Sequence, residues 1–333
     1  MTRTLRRPRT LAAAAGIAAV TLLASACGGG GGGGGGESGE GGEQSADFIT
    51  IATGGSSGVY YQVGATMSEI LADELGADTS VQSTGASVEN LTLIQDGGAE
   101  LAFTQGDAVD QALAGEGAFE GKQIDSLPVV ANLYDQYVQL VTVEGSGIES
   151  IEDIKGKSIS VGDQNSGVEL NARTVVDAYG LSYDDFSADY LPYAEAVDQM
   201  RNGQLDAAFV TSGLPNSAVT DLATSDDVKV VPFTGDGREK LLSEYDYFGE
   251  GEVPAGTYGD SEAAQTLTIP NLLVVSPSLS EDAVYDITKT LFDNIDKVQS
   301  SHSAAKDITV DNAQDVPVSE LAPGAKKYFD EQG

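Results

Sequence analysis

The sequence predicts an α/β protein of two lobes joined by two extended crossings. Three observations carry this expectation. Short β-branched runs alternate with amphipathic helical stretches in two successive series, which implies parallel sheets with right-handed crossovers. Each series opens on a strand that ends in a Gly/Ser loop and feeds a helix. Two long runs, 127–143 and 265–276, alternate apolar and polar residues without a helical period, as strands passing between lobes would. The body from 47 to 333 is also long for one lobe and suits two.

The N-terminus reads as targeting sequence. Arg3, Arg6, Arg7 and Arg9 precede an apolar run from Leu11 to Ala24, and small residues lead to Cys27, the only cysteine in the chain. This is the pattern of a secretory signal peptide over 1–27 that ends at a lipidation cysteine. Ala24 stands where such a signal usually has Leu, with Leu23 one step further out. A lone cysteine in an exported protein has no disulfide partner, and lipidation of Cys27 accounts for it. The apolar run is shorter than the roughly 20 residues that span a bilayer. Residues 28–46 begin with an unbroken glycine run, Gly28 to Gly36, and Glu37 to Ser45 offers no apolar side chain, so the segment is a flexible tether. The expected location is extracytoplasmic, with the protein lipid-anchored to the cell membrane.

Loss of the leader removes four arginines and no acid, which leaves 13 basic against 52 acidic side chains, a formal charge of −39. That argues against nucleic acid as a partner, because phosphate contacts need Lys and Arg. The acids are spread without a block, which fits solubility in a salty or extracellular medium.

In order, lobe I opens with strand 48–53, helix 59–76, strand 79–83, helix 87–96 and strand 100–105. The first crossing follows. Lobe II then runs through a short helix at 151–154, strand 157–161, helix 168–179, strand 188–191, helix 193–202, strand 206–211, helix 215–223 and strand 228–232. A tyrosine-rich segment, 245–258, leads to the second crossing at 265–276. Helices at 281–298 and 323–329 return to lobe I. The lobes therefore comprise 47–140 with 265–333, and 141–264.

The stretch Ile51 to Gly64 organises this reading. Strand, Gly/Ser loop and helix together make an anion site, since the first N–H groups of the helix are unpaired and lie at the positive end of its dipole. An ordinary strand-to-helix turn capped by Ser57 is the other reading. The loop matches neither nucleotide fingerprint, lacking the Lys of one and the glycine spacing of the other. Gly162 to Glu169 repeats the theme in lobe II, and a ligand between the two lips follows.

Six segments carry a family resemblance: Thr53-Gly-Gly-Ser-Ser-Gly-Val-Tyr-Tyr61, Thr84-Gly-Ala-Ser-Val-Glu-Asn90, Leu101-Ala-Phe-Thr-Gln105, Lys155 to Gly162 with Ser166-Gly-Val-Glu169, Pro254-Ala-Gly-Thr-Tyr258, and Pro323-Gly-Ala325. In these the chain resembles the TAXI solute-binding proteins of TRAP-type secondary transporters. It departs at Gln62, where Pro is expected after the tyrosines, and at Ala322, where His is usual. The resemblance implies a clamshell of the periplasmic binding protein type II kind, a ligand of the glutamate-like amino acid or C4/C5 dicarboxylate class, a TRAP-type permease as partner, and a monomer that is not an enzyme. The chain leaves delivery to an ABC importer or a sensor kinase open.

The residues themselves point away from catalysis. His302, the one histidine, lies in a polar segment read as surface and far from the cleft loops. There is no Cys or His cluster for zinc, no closed calcium loop and no cofactor motif; acidic pairs such as Asp184 and Asp185 leave loose ion binding open. No catalytic residue, metal ligand or cofactor is expected. What the strand ends offer is neutral donors: Ser56, Ser57, Gly58, Ser87, Asn90, Gln105, Asn165, Ser166, Gly167, Thr211 and Ser212, with Tyr60, Tyr134 and Tyr258 as amphipathic lids. Such a set suits a small polar anion. Arg173 has two readings, a cation reaching a second carboxylate, or a solvent-facing helix residue paired with a nearby acid.

Overall fold

The computed structural model describes residues 46–259 and 261–333; the leader, Cys27 and all of the tether but its last residue lie outside the described residues. Strand β1 (Phe48–Ala52) pairs in parallel with β2 (Asp78–Gln82) and with β3 (Leu101–Gln105). Parallel neighbours need a crossover, and α1 (Val59–Leu75) and α2 (Ser87–Asp96) supply it, while α3 (Gly106–Ala114) follows β3 directly. Strand β4 (Val129–Val143) then leaves for the second lobe, where β5 (Ser158–Ser160), α4 (Gly167–Ala178), β6 (Ser187–Asp189), α5 (Tyr193–Arg201), β7 (Ala207–Ser212), α6 (Ser217–Leu222) and β8 (Val228–Val231) follow. After α7 (Gly235–Glu244) and β9 (Gly249–Val253), β10 (Ala264–Val275) comes back to the first lobe. The chain ends with α8 (Glu281–Asp293), α9 (Ile295–Ser301), α10 (Val310–Ala313) and α11 (Pro323–Gln332).

All ten strands belong to one sheet of order β2-β1-β3-β10-β4-β7-β5-β6, with β8 on β4 and β9 on β10. The two crossings are therefore antiparallel neighbours at its middle, and each is shared by both lobes. Their register shifts between Asn271 and Leu272 and again between Leu273 and Val274. Such shifts bend a strand. Asn271 lies opposite both Gln105 and Tyr134, so the bend sits beside two of the residues expected to meet a ligand.

Each lobe buries both faces of its part of the sheet. In lobe I, Ile51 and Phe103 of the sheet pack with Val63 and Leu71 of α1 and with α8 and α11, and Ala102 and Leu272 pack with Leu91 of α2 and Val109 of α3. In lobe II, Ile159, Val175, Phe209 and Phe233 form one core and Val141, Met200, Val219 and Tyr258 the other. Full burial of such a side chain contributes about 1.5–3 kcal/mol, which fixes helices to sheet. Helix α1 approaches so closely that a Cβ on Gly64 would lie 2.6 Å from Thr53 Cγ2 and 3.2 Å from the Phe103 ring. Glycine there lets the helix aim its N-terminus over the end of β1.

Most element boundaries fall within a residue or two of expectation; α11 runs on to Gln332, the short α10 was not expected, and three differences are larger. The amphipathic stretch 281–298 is two helices, because Asn294 leaves the helical conformation (φ −109°, ψ 25°) between α8 and α9. Helix α7 and strand β9 were not expected at all. The first is charged and buries only Gly237 and Leu241; the second, Gly-Glu-Gly-Glu-Val, is poor in β-formers and is held by its ladder with β10.

Candidate functional site

The carboxyl ends of the parallel strands in both lobes face one another across a cavity of about 50 Å³. That is room for a handful of water-sized groups. On the lobe I side it is walled by the β1–α1 loop, the β2–α2 loop at Gly85 and Ala86, and Gln105 at the end of β3. Tyr134 and Gln136 rise from the crossing strand β4. Lobe II adds the β5–α4 loop, the β6–α5 junction and the end of β7.

Two helices point their N-termini into this space. Gly58 is the N-cap of α1 and uses no side chain to satisfy the first turn, so those N–H groups are open to a ligand. Ser166 caps α4, its Oγ accepting from Glu169 N–H at 3.1 Å. Gly167, next in line, sits hard against lobe I: a Cβ there would collide with Gln105 Oε1 and lie 2.7 Å from Ser87 Oγ. A glycine is what permits the α4 terminus to come this close.

Of the residues expected at the site, Ser57, Gly58, Tyr60, Gln105, Tyr134, Ser166, Gly167, Thr211 and Ser212 line the cavity. Four of them hold a buried polar atom without a partner: Tyr60 Oη, Tyr134 Oη, Gln105 Oε1 and Thr211 Oγ1. Buried polar groups are normally satisfied, so a cluster of orphans around one cavity marks where a ligand would supply the partners. Burial holds the Tyr60 and Tyr134 hydroxyls well above the usual phenol range, so both are neutral donors.

The remaining five lie elsewhere. Ser56 is exposed at the tip of its loop, and Asn165 is exposed in left-handed conformation (φ 64°), where it turns the chain into α4. Ser87 stands behind the wall, accepting from Gln105 N–H at 3.2 Å. Asn90 is buried and fully engaged: its Nδ2 donates to Thr53 O and Phe103 O, and its Oδ1 accepts from Thr84 Oγ1 at 2.6 Å. It fastens the ends of β1 and β3 together. Tyr258 belongs to a lobe II core, where its hydroxyl accepts from Asn216 N–H at 3.2 Å.

Other lining residues had no signal in the sequence strong enough to single them out. Gln136 lies in the long alternating crossing, and its Oε1 accepts from Gln105 Nε2 at 3.0 Å. Tyr193 starts α5 and donates to Thr211 O at 2.7 Å. Asp163 and Gly213 complete the lip. Their positions beside strand ends were the one clue.

Among the described residues no Lys or Arg lines the cavity. Arg173 follows its second reading: it is exposed, paired with Glu169, and stacked 4.4 Å from the centre of the Tyr183 ring. His302 departs from expectation. It is half-buried beside the loop that leaves β7, with Nε2 3.2 Å from Pro215 O, because the segment after α9 packs against that loop. Other bonds also join the lobes: Ser303 Oγ to Leu214 O (2.7 Å), Ser217 Oγ to Ser57 O (2.7 Å), and Asn171 Nδ2 to the buried Asp107 Oδ2 (2.6 Å). Among the described residues no group of acids, Cys and His is arranged to hold a metal ion, and no helix is long and apolar enough to cross a membrane.

The model of the NMT1-like family matches residues 51–333. Similar solved structures include the periplasmic aliphatic sulphonate binding protein SsuA from Escherichia coli, at 13% identity over 86% of this chain and 83% of that one, with a TM-score of 0.43. Another is the alkanesulfonate-binding protein SsuA from Xanthomonas axonopodis pv. citri, at 13% identity over 86% and 84%, with a TM-score of 0.45. A third is PhnD1 from Prochlorococcus marinus in complex with methylphosphonate, at 12% identity over 77% and 84%, with a TM-score of 0.46.

Proposed function

Since the chain belongs to the NMT1-like family, we propose that it is an extracytoplasmic solute-binding protein that captures a small organic anion between its lobes and hands it to a membrane permease. The observation that carries this reading is the pair of helix N-termini, from α1 and α4, converging on one cavity ringed by unpartnered neutral polar atoms. Charge on the ligand is met by N–H dipoles and hydroxyls, with no arginine in reach. The ligand class is a glutamate-like amino acid or a C4/C5 dicarboxylate, and the chain is a monomer tethered to the membrane through Cys27. Its permease is TRAP-type on the strength of the resemblance in the strand-end loops.

Calorimetry with succinate, glutarate, aspartate and glutamate tests the site. Ser166→Ala removes the cap of α4 and one hydroxyl at the lip, and should weaken binding about tenfold, the size of one hydrogen bond to a charged group. Arg173→Ala should bind as wild type. The opposite pattern would move the site to Arg173. Uptake into vesicles carrying the permease separates the transporter classes: dependence on an ion gradient supports the TRAP type, whereas dependence on ATP supports an ABC importer.

A further inference from the structure

Among the described residues Asp163 is the one charged residue that lines the cavity. Among the described residues its carboxylate has neither an ion pair nor a hydrogen-bond donor, while its backbone carbonyl accepts from Ser166 N–H at 3.1 Å and so holds it beside the N-terminus of α4. Partial burial, and after it the neighbouring acids Glu195 on α5 and Glu89 on α2, push its carboxyl above the usual range. The rim at this end is therefore negative. It repels the anion that the helix termini attract.

A second acceptor faces the same space. Gln105 is 2% exposed, its Nε2 is spent on Gln136, and its Oε1 has no donor. Tyr193 and Tyr60 add aromatic rings to the wall, surfaces that favour a cation. The cleft thus presents donors at the two helix termini and acceptors at Asp163 and Gln105. A ligand that satisfies both needs an acidic group and a nitrogen that donates.

We propose that Asp163 is the specificity residue of the cleft: it selects a ligand with a protonated nitrogen next to its carboxylate and rejects a second negative charge at that position. This rests on the reading of the cleft as a small-anion site, and narrows it.

Calorimetry on the full chain with matched skeletons tests it: succinate against aspartate, and glutarate against glutamate. In at least one pair the amino acid should bind ten times or more tighter than its diacid. Asp163→Asn should shrink that ratio to about threefold or less, chiefly by weakening the amino acid, and Asp163→Lys should invert it. Asp163 is half-exposed in a loop, and unchanged melting of the variants would show that they fold. Diacids binding as tightly as amino acids, or a ratio that Asp163→Asn leaves intact, overturns this inference and spares the small-anion reading. If no acid of either kind binds, that reading fails instead.

Discussion

Asp107 lies at the start of α3 with 1% of its surface exposed, and across the lobes it accepts from Asn171 on α4. Burial pushes its carboxyl from 3.8 up to about 7. The sign follows from proton binding: between those values the folded state holds a proton that the unfolded state has lost, so this group makes stability fall as pH rises through that window. Asp110, Asp135 and Asp163 are shifted upward as well, by burial and neighbouring acids, and act in the same direction. The melting temperature should be higher near about pH 5 than near about pH 8, and Asp107→Asn, which keeps an amide donor available to the unpartnered Asn171 Oδ1, should reduce that difference. An unchanged difference in the variant would place the effect on other carboxyls. At this scale the sequence was partly legible. Ser57, Ser166 and Thr211 announce themselves as polar residues at strand ends, and they do line the cavity. Tyr258 and Asn90 have the same chemistry but point into the protein, since residue type says nothing about which way a loop side chain turns.

At the scale of elements, small residues stand where the lobes meet. Gly213, just past β7, packs so that a Cβ would be 2.5 Å from Ala304 Cβ and 3.2 Å from the Tyr134 ring. Ala304 and Tyr134 both belong to the lobe I core. A methyl at 213 is therefore a wedge between lobes that disturbs neither lobe alone. Gly213→Ala should weaken ligand binding about tenfold, a cost of roughly 1.4 kcal/mol on the closed state, while the variant melts within a few degrees of wild type. A large loss of stability with normal affinity would show that Gly213 serves folding. Strands and helices with clear periods were legible, and the two crossings stood out by length. Helix α7 was hidden because its charged surface shows little periodicity, and β9 because alternating Gly and Glu looks like a loop until β10 supplies its ladder. The break at Asn294 escaped because the apolar stripe continues across it.

For the whole molecule, the formal charge of −35 and a cavity without cations set long-range repulsion against short-range attraction. Salt screens the former over about 8–10 Å and leaves buried hydrogen bonds nearly untouched. Affinity for an anion should rise or stay level as salt is added, and a fall of tenfold would show that an attractive field steers the ligand instead. Small-angle scattering at saturating ligand should report a smaller radius than without it, because a ligand touching both lips favours the closed form by its differential affinity. The alternating strands and helices made the architecture legible, but the packing of His302 and Ser303 against the loop after β7 depends on contacts between residues far apart in the chain.

The place of β10 in the sheet also dictates an order of events during synthesis. It lies between β3 and β4, yet it leaves the ribosome after every other strand. Until then β3 and one side of β4 are bare edges with unpaired backbone groups, the kind of surface that recruits other chains. Lobe II, whose β4–β7 and β5–β6 pairings lie within a shorter stretch, has no such wait. A nascent chain stopped before residue 264 should therefore be prone to self-association, and the last strand is as much a cap for the growing polypeptide as a hinge for the finished one.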